Sequence, residues 1–552
     1  IDTDTTWYLV DSPIKVNPTS PSGYLSVEAD LTIEAGVQVI MAENSGISFD
    51  GGIQADGTCA QFNTLGTATE RVTFDADRSI NPGALWHGLA FTLNCGTTSV
   101  NDRHTISSTD FSNTNHAAIT AGSRPADSSY QACGSSTQNC DVGEFTMDDV
   151  TFTNVDSAFA HGSGQGTVVT LSNFAVTDSR SSCFNFAQNT IATLTGTANN
   201  PSTMTRCNTN NYDWAGAIAS DLSGSTSGSL TMEHVNIEDA KVTLIRTDLQ
   251  TITISDVTAT TPNIGDQWRW NDNGWTWENT GVSLGLSHGS NSEVTVTNFN
   301  APTYAQGWIC AASKVSLTDV DLGTGFMPAG QHRFDIDPYC GAVNNVPGSM
   351  GVNSVFDGVT APDMTMYRTF PGTADQISVA NDFKVEELGV TGGSTDTIVF
   401  DSLSVGGVLE IVGCGANVEI GSSDPSVMTS SVGQLSSFCS TPSGTSSVKM
   451  SDSSISHTST DSAIFLEQTT GIFVNVDATS TTASANGPYL YFGGLFSDAF
   501  LIDVTLNGNA CADTSGKTAD CYTSHDSSGI GVSIPEIYYG GFANSIAYRL
   551  GT

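Results

Sequence analysis

The chain has 552 residues and a formal net charge of −40, from 17 Lys+Arg against 57 Asp+Glu. So few cations argue against nucleic acid or an anionic membrane surface as partner, because both are bound by Lys and Arg that neutralise phosphate. Hydrophobic residues make up 38% and glycines number 55, which supplies a core but not the Leu-, Lys- and Glu-rich stretches of a helical protein. No run of ~18 apolar residues occurs, so no transmembrane segment is expected.

Residues 1–25 precede the first regular pattern and are expected to form an amino-terminal extension or cap. From about 26 to 530, short stretches alternate apolar residues with Ser, Thr, Asp or Asn, and this period of two predicts strands. One phrase recurs: apolar, polar, Asp or Asn, apolar. It is read at Met147-Asp148-Asp149-Val150, Leu171-Ser172-Asn173-Phe174, Ile254-Ser255-Asp256-Val257, Val296-Thr297-Asn298-Phe299 and Leu317-Thr318-Asp319-Val320, with a related phrase at Ile502-Asp503-Val504. Steps from 149 to 173, 256 to 298 and 298 to 319 are 24, 42 and 21 residues, that is one, two and one units in the solenoid range. A coil this short cannot bury its own apolar face and must stack on its neighbours. The expected fold is therefore all-β, a single-stranded parallel β-helix with loop insertions, one of them Trp-rich and near 262–310. Residues 531–552 are expected to be a carboxy-terminal cap or assembly segment, with Tyr538, Tyr539, Phe542 and Tyr548 near the end.

Twelve cysteines and only nine histidines suggest disulfides rather than metal sites. Proximity in sequence pairs Cys59 with Cys95, Cys133 with Cys140, Cys183 with Cys207, Cys310 with Cys340, Cys414 with Cys439, and Cys511 with Cys521. The second cysteine follows the first by one coil length in Cys183/Cys207 and Cys414/Cys439, as a staple between successive coils would require. Disulfides imply an oxidising compartment, so an extracellular or cell-surface location is expected. The start at Ile1 is read as that of a mature, exported chain.

Leu31-Thr32-Ile33-Glu34-Ala35-Gly36-Val37-Gln38-Val39, Gly46-Ile47-Ser48-Phe49-Asp50-Gly51-Gly52-Ile53-Gln54-Ala55-Asp56-Gly57, Arg71-Val72-Thr73-Phe74 and Trp86-His87-Gly88-Leu89-Ala90-Phe91 resemble the opening coils of secreted right-handed parallel β-helix proteins, the pectin-lyase-like superfamily. The resemblance implies a right-handed coil. It leaves function open, since this fold carries polysaccharide lyases and hydrolases, tailspikes, adhesins and surface-structural proteins alike.

Motifs for zinc proteases, α/β-hydrolases, EF-hands and dinucleotide folds are missing from the sequence, and Gly516-Lys517-Thr518 lacks the glycine that a phosphate loop needs. Two constellations carry candidate chemistry. In Arg333-Phe334-Asp335-Ile336-Asp337, strand alternation puts Arg333, Asp335 and Asp337 on one face, the arrangement of a glycosidase carboxylate pair or a lyase site; a salt-bridged surface ladder is the alternative. The family's hydrolase pattern also includes a Gly-His-Gly and an Arg-x-Lys, and the chain has no convincing counterpart. Trp268, Trp270, Trp275 and Trp277, with Glu278 and the downstream Tyr304 and Trp308, form an aromatic cluster suited to stacking on sugar rings; a small self-packed insertion is the alternative. The close acidic pairs Asp2/Asp4, Asp75/Asp77 and Asp148/Asp149 offer oxygen ligands, so Ca²⁺ is the cation expected if one binds. No unblocked N-x-Ser/Thr site occurs, which fits a surface kept clear for packing. Together these point to an extracellular structural or adhesion subunit that self-associates and binds glycans, with a polysaccharide lyase or glycoside hydrolase as the rival.

Overall fold

The computed structural model describes residues 1–323 except 21–22, 50–59, 92–102, 122–142, 162–166, 188, 211–215, 221–227, 242, 248, 261–266, 272–273, 279–281 and 303–305; from 334 to 548 it describes strands and their short connections. Among these residues the structure is all β apart from a single 3₁₀ turn, Leu9–Asp11. No helix among them is long and apolar enough to cross a membrane. The chain divides into two compact units, Ile1–Gly307 and Trp308–Thr552.

In the first unit each coil contributes one strand to each of three parallel sheets. The first sheet stacks Thr5–Trp7, Leu31–Ile33, Phe62–Leu65, then the opening halves of Arg103–Ser112 and Glu144–Thr153, and continues through Val168–Ser172 and Ile191–Thr195. The second contains Ile14–Val16, Gln38–Met41 and Val72–Ala76, and the third Tyr24–Val27, Gly46–Phe49, Gly88–Phe91 and Ile119–Ala121. The amino-terminal segment expected to precede the repeat is thus itself paired in parallel with the coil that follows it.

Parallel register puts equivalent residues of successive coils side by side. In the first sheet one interior column reads Ile106, Met147, Leu171, Leu194, Met232, Ile254, Val296, each in register with the next and all fully buried. In the second sheet Phe74, Phe111 and Phe152 are register partners, and their rings stack at 5.1 and 5.4 Å with interplanar angles of 11°. Strands about 4.8 Å apart bring like side chains to stacking distance, so a column of one residue type is also a column of contacts. Such burial of aliphatic and aromatic side chains, about 25 cal/mol per Å² of apolar surface, stabilises the stack.

The recurring Asp/Asn of the sequence has a backbone explanation. Asp149, Asn173, Asp256, Asn298 and Asp319 all have φ between 50° and 54°, the left-handed conformation that Asn and Asp tolerate best after glycine. In the first unit Asp149, Asn173, Asp256 and Asn298 bend the chain from the first sheet toward the second, and Gly196 and His234 occupy the same step in intervening coils. A second column, Asn113, Asn154, Asp178, Arg206 and Asp239, marks the bend from second to third sheet with φ of 52° to 61°.

In the second unit a register column of the same kind runs through Leu317, Phe356, Ala374, Phe400, Ile420, Met450 and Phe473, in which Leu317, Phe356, Phe400, Ile420, Met450 and Phe473 are buried. Asp452 and Asn475 adopt positive φ there, and Asn475 donates to Asp452 at 2.7 Å. The bridge Cys183–Cys207 joins successive coils, with 5.3 Å between Cα atoms, a bond that persists in oxidising surroundings. Cys439 is also disulfide-bonded. Nine of the other cysteines, Cys59, Cys95, Cys133, Cys140, Cys340, Cys414, Cys511, Cys521 and the side chain of Cys310, lie outside the described residues.

Candidate functional site

The polar chemistry of the first unit gathers on its two turn columns. At the first bend Arg71 reaches across coils, donating from Nε to Asp110 Oδ1 at 2.8 Å, from Nη1 to Asp149 Oδ2 at 2.6 Å and from Nη2 to the Asp149 carbonyl at 2.7 Å. Ser108 donates to the same Asp149 oxygen at 2.7 Å. Burial alone would raise the Asp149 pKa, but the hydrogen bonds from Arg71 and Ser108 outweigh it and hold the carboxyl below the usual range. One rung further, Ser172 and Asn173 donate to Asp148 Oδ1 at 2.6 and 2.8 Å. The adjacent Asp148 and Asp149 therefore serve different neighbours and do not converge on a common ligand.

The same column then carries Glu233, His234 and Asp256. His234 Nε2 stands 3.6 Å from Glu233 Oε1, and its Nδ1 stands 3.6 Å from Asp256 Oδ2. Asn298, on the next coil, donates to the other Asp256 oxygen at 2.5 Å. Among the described residues this is the one group of three or more metal-ligating side chains that close on one another, with ligand atoms all within 4.8 Å.

At the second bend aromatic and titratable groups stack. Tyr24 lies over His87 at 5.5 Å and His87 over His116 at 5.1 Å, while His87 Nδ1 meets Asn115 Oδ1 at 3.0 Å. Burial, reinforced by repulsion from the neighbouring His87 and Arg180, pushes the His116 pKa down to about 4. Asp156 sits one coil on, and burial raises its pKa because Arg180, 4.0 Å away, is too distant to compensate. Arg206 instead grips Asp178 with two bonds, 2.5 and 2.8 Å, and lowers its pKa. In the third sheet Arg246 is half-buried with no hydrogen-bond partner for Nε, and burial lowers its pKa. Its register neighbours are the small Ala219 and Gly285.

Of the residues singled out from sequence, Asp335 and Asp337 do lie on a strand, Phe334–Asp337, whose Asp335 is in register with Thr365 of Met364–Tyr367. Their side chains, and Arg333 altogether, lie outside the described residues. The tryptophans form an antiparallel hairpin, Gln267–Asn271 with Gly274–Glu278, in which Trp268 is opposite Trp277, Trp270 opposite Trp275, and Glu278 opposite Gln267. The hairpin is inserted between the second-sheet half of Thr251–Thr260 and the third-sheet part of Val282–Asn300. Their side chains too lie outside the description. The other acidic pairs are also spoken for separately: Asp4 accepts from Asp30 N–H, Asp75 from Asn113, and Asp77 from Ser79.

His234 escaped the sequence pattern because the marker was Asp or Asn. The phrase Met232-Glu233-His234-Val235 lies 22 residues before Asp256, one coil length, and would have revealed it. Histidine is among the residue types that tolerate this backbone conformation. No family model, no curated protein and no solved structure matches this chain.

Proposed function

We propose that the chain is an extracellular structural subunit of a filament, surface layer or adhesive surface, built as a right-handed coil of the pectin-lyase-like type. The supporting observation is how the outer turns use their polar groups. Arg71, Asp110, Asp149, Asp148, Asn173, Arg206 and Asp178 tie one coil to another. Cross-coil ladders of this kind stiffen a scaffold, because each bond closes only when neighbouring coils are in register.

The Trp hairpin supports a glycan contact as part of this role, since its register sets two tryptophan pairs on a short, separate ribbon. Electron microscopy of the natively purified chain, with and without a chelator, tests the subunit role. Regular filaments or sheets are expected in at least one condition. Dispersed particles throughout, together with polysaccharide cleavage that Asp335→Asn abolishes, would replace this proposal with an enzymatic one. Affinity electrophoresis in neutral and acidic polysaccharide gels tests the hairpin, where Trp268→Ala with Trp277→Ala is expected to remove retardation.

A further inference from the structure

We propose that Glu233, His234 and Asp256 form a binding site for one divalent ion of the zinc class, independent of any assembly role. Elsewhere on the first-bend column neighbouring polar groups satisfy one another: Asn173 bonds Asp148 at 2.8 Å, Asn298 bonds Asp256 at 2.5 Å, and Arg71 bonds Asp149 at 2.6 Å. At His234 the ladder does not close. Both ring nitrogens face carboxylate oxygens at 3.6 Å, beyond hydrogen-bonding distance. Two donors on a tetrahedral ion with bonds of about 2.0–2.1 Å stand roughly 3.3 Å apart, so a small side-chain rotation brings His234 Nδ1 and Asp256 Oδ2 onto a shared ion.

The frame around them is rigid. Glu233 is in register with Ser255, and His234 and Asp256 hold equivalent left-handed positions on adjacent coils with φ of 51° and 52°. Asn298 fixes one Asp256 oxygen and leaves Oδ2 toward Nδ1, the second ligand layer that metal sites use to orient carboxylates. Nδ1 and Asp256 Oδ2 are the fixed pair. Glu233, whose side chain is 49% exposed, moves in to supply the third ligand, leaving a fourth position for water. No Lys or Arg pairs with either carboxylate among the described residues, so no internal cation competes. An imidazole in the set favours zinc-like ions over Ca²⁺ or Mg²⁺, which take oxygen alone.

The test is equilibrium dialysis of the chelator-stripped full chain with Zn²⁺, and absorption spectroscopy with Co²⁺ as probe, at pH 7.5. His234→Asn is the decisive variant, because asparagine keeps the left-handed turn while removing the imidazole. One Zn²⁺ per chain is expected, weakened at least tenfold by His234→Asn and by Asp256→Asn, with an unchanged circular dichroism spectrum. Asn298→Ala is expected to weaken it less. Absence of stoichiometric binding, binding that survives His234→Asn, or displacement of Zn²⁺ by equimolar Ca²⁺ would overturn the proposal.

Discussion

Replacing Arg71 by methionine isolates what a cross-coil ladder contributes. Methionine keeps much of the apolar stem and removes the guanidinium that joins Asp110 and Asp149. Two charge-assisted hydrogen bonds, taken at about 1.5 kcal/mol each, the low end for bonds to charged groups, give a figure of about 3 kcal/mol. The Arg71 side chain is 23% exposed and its partners 29% and 37%, so water recovers part of this and about 2 kcal/mol is expected. Coils open locally, so the measurement is hydrogen exchange of the strands Val72–Ala76, Arg103–Ser112 and Glu144–Thr153 at pH 7. Exchange in these strands should accelerate roughly 30-fold, and strands several coils away should not change. Asp149→Asn and the double variant complete a cycle whose coupling should be about 1 kcal/mol. The pH dependence has a definite sign. The folded Asp149 pKa is depressed, so its contribution is complete above pH ~4 and is lost as pH falls through the folded value. Unchanged exchange in Arg71→Met, or strictly additive effects in the cycle, would refute the ladder as a source of stability.

Acid should also act through the core. His104 is fully buried, accepts a hydrogen bond from Phe62 N–H at 3.2 Å and has its pKa lowered by burial to about 3; His161 is lowered to about 4. The unfolded chain takes up these protons near pH 6.5 while the folded one cannot, so stability, and with it melting temperature, should fall from pH 6.5 toward 4, the unfolding free energy by up to about 1.4 kcal/mol per pH unit for each histidine. His104→Gln should flatten that slope in melts between pH 7 and 4.5. Replacing Cys183 and Cys207 by serine should cost about 3 kcal/mol, from a loop closed over 24 residues, measured by urea unfolding against the oxidised parent. Gly216→Ala should fail to fold or melt far lower, because its Cβ would collide with the Thr243 carbonyl oxygen of the adjacent coil. Asn173→Val should destabilise by roughly 1–2 kcal/mol through its φ of 52°, whereas Asn173→Gly should lose less, as thermal melts would show.

The features legible in the sequence were those repeated along it. Alternation in Glu144–Thr153 marks a strand because successive side chains face opposite sides, and Asp149, Asn173, Asp256 and Asn298 mark bends because few residue types tolerate positive φ. The spacing of Cys183 and Cys207 matched one coil, and they are bonded. Which polar groups meet was decided only by the tertiary stack. Arg71 and Asp149 are 78 residues apart yet hydrogen-bonded, because the intervening loops vary in length while the rungs stay in register. Asp148 and Asp149, neighbours in sequence, turn to different partners because the left-handed bend falls on the second of them. Glu233, His234 and Asp256 become a cluster for the same reason, since parallel pairing sets residues 22 positions apart side by side. A repeating pattern specifies the coil, but contacts between coils depend on register, and register is a property of the folded stack.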